Sequence, residues 1–294
     1  MRGLAIVTLA LLLTACGNAD EPDDASGPGS DPTAVDASLV RDDVDCTLEG
    51  LDPSDEFDFT TAHYVVDGAL GAPCLGEEDP DLINAWEVLA SVAPAGQLAD
   101  LALFGGFSGS AADDEPTLAF VNTLDDEGSV FQMSVNLGES ADPDELALTM
   151  VHEFSHVFTG LSTQLDRSLE PDECDTYDNG EGCYLADSLM FGWIEEFWGN
   201  GLIDRVDPNA EAGASVGQAL CDLDPGFFGP YAASNPEEDF AETFSAWTLD
   251  VPVTSPERQA RYDWLDGTPG LAEFRDRARE AGRSVDTNTF ETCG

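Results

Sequence analysis

The 294-residue chain holds 60 acidic residues against ten basic ones, all arginine, for a formal charge of −50 at neutral pH. A surface this anionic repels nucleic-acid phosphates and anionic lipid headgroups alike. Composition therefore argues against a nucleic-acid partner and against an electrostatic hold on a membrane. The charge reads first as solubility, since the acid is spread along the whole chain, and second as a field that steers a cationic substrate.

The first element is a targeting segment. One arginine, an apolar run and then Leu13-Thr14-Ala15-Cys16 form a secretory signal. The run falls short of the roughly 20 apolar residues a membrane span needs. "LTAC" resembles the lipobox of bacterial lipoproteins, which implies removal of residues 1–15 and lipidation of Cys16. The expectation is an exported bacterial lipoprotein, anchored in the cell envelope or at the cell surface. Residues 16–45, rich in Asp, Pro, Gly and Ser, cannot bury a core and form a disordered acidic tether. Setting Cys16 aside leaves six cysteines, an even set for an oxidising compartment. We expect Cys46–Cys74, Cys174–Cys183 and Cys221–Cys293.

Residues 46–294 read as one α+β domain, with a sheet and active-site helix over 46–161 and a mainly helical lobe over 162–294. The pattern predicts strands at 62–68, 100–107, 116–124 and 129–137, and a helix at 79–93 with an acidic cap and Pro80. In the last strand Phe131, Met133, Val135 and Leu137 alternate with Gln132, Ser134 and Asn136, as a half-buried edge strand would. Helices follow at 143–161, 184–202, 235–249 and 270–282. The aromatic run Phe191, Ile194 and Trp198 within the second of these reads as core packing.

The stretch "ALTMVHEFSHVFTGL" (147–161) contains His152 and His156, two of only three histidines. Four residues apart on a helix, they present both imidazoles to one ion. Glu153 is rotated by about 100° from His152, where a general base acting on water belongs. Ala147, Met150, Phe154, Val157 and Leu161 form the opposite, buried face. Catalytic zinc usually takes three protein ligands. His63 lies at a strand start without helical support, and the cysteines are spoken for by disulfides. A carboxylate remains, with Glu195 and Glu196 as competitors in principle. In "GPYAASNPEEDFAETFSAW" (229–247), Ser234 or Asn235 caps a helix with Pro236 in its first turn. Phe240, Phe244 and Trp247 face the core, and Glu238 and Glu242 share another face. Helix geometry leaves that face either a ligand with a supporting carboxylate or a solvated acidic surface.

"HEFSH" followed by "YAASNPEEDFAETF" resembles the gluzincin metallopeptidases, in particular the catalytic domains of anthrax lethal factor and the Pro-Pro endopeptidases. In that group a tyrosine stands seven residues before a glutamate ligand, and a second glutamate follows four residues later. The resemblance implies a zincin-like fold and Zn2+ held by His152, His156 and Glu238. It also implies Glu153 as base, Tyr231 as transition-state donor and Glu242 behind a ligating histidine. The partner implied is a peptide or protein substrate. The alternation at 131–137 itself suggests an edge strand that pairs with extended substrate backbone, and a monomer is expected. The match covers two helices and the turn before one of them.

Two rivals stand beside this reading. One is a surface binding lipoprotein whose zinc site is structural or vestigial. The other is calcium at "DTYDNGEGC" (175–183), where Asp175, Asn179 and Gly180 fall near the spacing of a calcium loop. Tyr177 and Ala186 break that pattern, which favours a disulfide-closed turn.

Overall fold

Asp67 and Gly68 take positive φ, 50° and 78°, the left-handed pair that a two-residue hairpin turn requires. They fold β1 (Asp58–Val66) back on β2 (Ala69–Leu75) as an antiparallel pair. The sequence predicts one strand here; the Asp-Gly turn makes two. The computed structural model describes residues 33–294 except 51–56, 110–115, 200, 209, 211, 254, 286–292 and 294. The expected signal at 1–15 and the lipidated Cys16 lie outside the described residues, as does most of the tether.

The hairpin leads into α1 (Pro80–Val92), whose first turn is closed by the Asp79 side chain on the Asp81 amide, and the short α2 (Ala95–Leu98). β3 (Leu101–Ser108), β4 (Ala119–Thr123) and β5 (Phe131–Asn136) complete a five-stranded sheet of order β2-β1-β3-β5-β4. β3 and β5 run parallel and every other pair antiparallel, so the sheet is mixed.

The expectation that 129–137 forms a sheet edge is overturned. β5 lies between β3 and β4 and is buried along its whole length. Its polar residues alternate as read, but their partners are internal. The Gln132 amide donates to the Glu49 carbonyl at 3.1 Å and to Ser134 Oγ at 2.9 Å. The Asn136 amide donates to the Gly109 and Thr117 carbonyls. Satisfied in this way, polar side chains can be buried without loss. The edges of the sheet are β2 and β4.

α3 (Pro143–Gly160) packs on α1, β4 and α6. A two-stranded ribbon follows, β6 (Leu165–Asp166) with β7 (Cys183–Tyr184). α4 covers only Leu189–Phe197 of the predicted 184–202, because Tyr184 is in β7 and Ser188 caps the Phe191 amide. α5 (Ala214–Cys221), α6 (Pro236–Thr248), α7 (Pro256–Gly267) and α8 (Ala272–Glu280) make up the rest. Neither α5 nor α7 is foreseen from sequence, although Ser255-Pro256 is a cap signal of the same kind as the one before α6.

Phe154 and Phe158 of α3, Phe240 and Phe244 of α6 and Phe274 of α8 interlock with ring centroids 5.1–6.2 Å apart. This cluster fixes α3 against α6. The disulfides are Cys46–Cys74, Cys174–Cys183 and Cys221–Cys293, the pairing expected from sequence. They point to an exported protein in an oxidising compartment. Among the described residues no helix is long and apolar enough to cross a membrane.

Candidate metal centre

Both helices that build the site start from strong caps. Asp142 accepts from the Asp144 and Glu145 amides ahead of α3, and Asn235 accepts from the Glu238 amide at 2.8 Å ahead of α6. Pro143 and Pro236 occupy the first helical turns. The second cap holds the backbone of Glu238 itself, so the first turn of α6 is set where its carboxylate is needed.

Across the α3–α6 contact, His152 Nε2 lies 3.0 Å from Glu238 Oε2. His156 Nε2 lies 3.7 Å from that oxygen and 3.3 Å from His152 Nε2. Ligands at zinc distance on a regular tetrahedron stand about 3.3 Å apart, so the three atoms already have the spacing of one coordinated face. Glu238 Oε2 is buried with the two imidazole nitrogens as its near neighbours, an acceptor placed where a cation held by both histidines would sit. Among the described residues, His152, His156 and Glu238 are the group that could hold a metal ion.

The surrounding residues fall into place behind them. Glu242 Oε1 lies 3.2 Å from His152 Nδ1. A proton held there frees Nε2 as the ligand atom. Burial works against a charged His152, but the carboxylates of Glu238, Glu242 and Glu153 outweigh it and raise its pKa well above normal. The same contest raises that of His156, with Glu238 the main carboxylate. For Glu238 burial is overcome by His156 and His152, which hold its pKa far below normal. Glu153, the residue after His152, is pushed upward by burial against the pull of both histidines. Two carboxylates, one on α3 and one on α6, thus have opposite tendencies, one held ionised and one inclined to take a proton.

Tyr231 stands at the start of the turn before α6, its ring centroid 6.1 Å from that of His152. Burial and then the Glu238, Glu153 and Glu242 carboxylates push its pKa well up, which keeps the hydroxyl a donor, while 38% of the residue stays exposed. Its turn is held from behind by α5. A Cβ on Gly217 would run into the Pro230 carbonyl oxygen and the Ser234 amide nitrogen, so only glycine lets helix and turn touch.

Glu195 and Glu196 are exposed on α4 and take no part in the group. His63 is buried in β1 with Nδ1 2.8 Å from the Gly71 carbonyl. The 175–183 segment is a turn: Asp178 accepts from the Gly180 amide and Asn179 from the Glu181 and Gly182 amides. Sequence reasoning did not anticipate Glu237, beside the ligand carboxylate on α6. Burial raises its pKa to about 7, against a hydrogen bond from Tyr184 and the charge of His156. Three consecutive acids at 237–239 were the available signal, and no helical period separates their roles.

No protein-family model matches the chain, and no curated protein matches it. Among solved structures it is similar to a Bacteroides caccae protein described provisionally as a zinc-binding metallopeptidase. Identity is 15%, with 68% of this chain and 64% of that one covered and a TM-score of 0.29. The chain thus spans less than two thirds of that protein's length, and the likeness carries no weight against the side-chain geometry.

Proposed function

We propose that the protein is a zinc metallopeptidase, exported and tethered to the cell envelope through a lipidated Cys16. The observation that carries the enzymatic reading is the convergence of His152 Nε2, His156 Nε2 and Glu238 Oε2 at 3.0–3.7 Å. Zinc held by these three atoms supplies Lewis-acid chemistry to a peptide carbonyl and its attacking water. Glu153 takes the proton of that water and passes it to the leaving amine. The Tyr231 hydroxyl donates to the carbonyl oxygen as negative charge develops on it. Glu242 holds His152 in the tautomer that leaves Nε2 free. Extended substrate backbone adds to the sheet along β4, the edge strand that packs beside α3.

The test is zinc content of the purified soluble domain. Wild type should hold one equivalent, His156→Ala none, and Glu238→Gln little or none after dialysis. Zinc fully retained by Glu238→Gln would remove the third ligand. A wild type that takes up no zinc would favour the binding-lipoprotein reading.

Gly217→Ala gives a subtler check. Moving the Tyr231 turn by about an ångström should lower kcat on the order of 10-fold to 100-fold at unchanged zinc content. Wild-type kcat in a folded Gly217→Ala protein would argue that Tyr231 does not touch the reacting carbonyl.

A further inference from the structure

A small cavity lies between the sheet and the first turns of α3. Val135 of β5, Leu146 and Thr149 of α3, and Leu118 just ahead of β4 line it, and its volume is about 10 Å3. That is room for one group the size of a water molecule. Glu139 and Glu145 border it as well, and both are exposed.

Helix geometry places the cavity relative to the metal ligands. Glu145 and Thr149 fall within about 40° of the line through His152 and His156 along α3. Thr149 precedes the midpoint of the two histidines by about 7.5 Å of helix axis, roughly two residues of extended chain. β4 runs the same way as α3. Leu118 at its start borders the cavity beside Thr149, and the Gly128 carbonyl beyond its end accepts from the Ser162 amide just past α3. β4 bonds to β5 through its even-numbered residues, since the Leu118 carbonyl accepts from the Asn136 amide and the Leu124 amide donates to the Val130 carbonyl. Ala119, Val121 and Thr123 therefore turn their backbone N–H and C=O groups to the outer side. The other edge, β2, already exchanges backbone hydrogen bonds with Asp36 and Leu39. Ala119 is paired with Val135, and both pack into the core beneath the sheet. A substrate residue paired opposite Ala119 extends that row, with its side chain on the face where the cavity lies.

We propose that this cavity is the subsite for a small, uncharged side chain of the substrate, within about three residues of the bond to be cut. Alanine fills it and glycine leaves it empty. A branched or aromatic side chain does not enter without displacing the walls. Glu139 and Glu145 at the mouth exclude aspartate and glutamate by like charge. This inference rests on the metallopeptidase reading and adds its substrate class. It assigns the selection to Val135, Leu146 and Thr149, none of which touches the metal.

The experiment uses fluorescent peptides of otherwise constant sequence that carry Gly, Ala, Val, Leu, Phe or Glu at one position at a time. Binding to zinc-loaded Glu153→Gln protein, which suppresses turnover, is read by anisotropy, and wild-type hydrolysis of the same peptides is followed in parallel. At one position Ala should be preferred about 10-fold over Leu, Phe and Glu and about 4-fold over Gly. Thr149→Leu in the same background fills the cavity and should make Gly the best residue at that position. Val135→Ala enlarges it from the sheet side and should admit Val and Leu there, which keeps the test open if Thr149→Leu folds poorly. Preferences at the other positions should stay as they are, whereas a merely structural defect weakens every position together. The absence of a size preference, no binding, or a preference that both variants leave unchanged would overturn the proposal. Hydrolysis without such a position sinks the subsite alone; a cavity-dependent preference in binding without any hydrolysis sinks the peptidase reading alone.

Discussion

Replacing Glu153 with Gln is expected to leave zinc content unchanged and to reduce peptide hydrolysis by about 1,000-fold or more. The substitution keeps the size of the side chain and removes its capacity to accept and return a proton. Glu153 is not one of the converging ligand atoms, so the metal centre loses nothing it coordinates with. What is lost is a carboxylate next to the ligand His152 that burial inclines toward protonation while both histidines hold it in check. A base needs that balance: ionised enough to take a proton, basic enough to want it. Zinc content by plasma emission spectrometry and turnover of a quenched-fluorescent peptide library measure the two halves separately. Turnover near wild type in zinc-replete Glu153→Gln would assign the base elsewhere. Loss of zinc together with turnover would mean that Glu153 supports the metal rather than the proton transfer.

The parts of this site that could be read from sequence are those set by helical period. His152 and His156 lie one turn apart on α3, and Glu238 and Glu242 one turn apart on α6. That the two pairs meet depends on the phenylalanine cluster between the helices, whose individual stripes were visible though their partner was not. Only the family resemblance pointed from one helix to the other. The misassigned strand shows the limit from the other side. Alternating Gln132, Ser134 and Asn136 has the pattern of a solvent face. Whether water or a carbonyl more than 80 residues upstream in sequence, such as that of Glu49, satisfies Gln132 is a tertiary fact. Likewise Tyr184 falls within the predicted helix at 184–202, yet it forms β7 because Cys183 is tied to Cys174 and its own carbonyl is held by Thr176. Local helix propensity carries no information about such ties.

Asp239 is where the same distinction has its largest expected cost. In sequence it is the third of three acids, indistinguishable from a solvated residue. In the fold it is fully buried, accepting from Trp193 Nε1 at 3.1 Å and Trp198 Nε1 at 2.9 Å on the α4 side. Arg261 of α7, itself 2% exposed, donates to it at 3.2 Å and to Asp224 at 3.0 Å. One carboxylate thus joins α4, α6 and α7, one residue after the ligand Glu238. Asp239→Ala leaves two indole donors unmet and Arg261 short of its buried counter-charge. The expected loss is about 3–5 kcal/mol of folding stability, read as a shift of the urea midpoint at unchanged slope. Adding Arg261→Met should recover part of that loss, because the double variant no longer strands a buried cation. Zinc affinity should fall about 10-fold to 100-fold in Asp239→Ala protein that remains folded, as α6 loses the anchor behind its first turn. If Asp239→Ala costs less than about 1 kcal/mol, the indoles and Arg261 have found other partners. The rotation of α6 that aims Glu238 at the histidines would then rest on the Asn235 cap and the phenylalanine cluster alone.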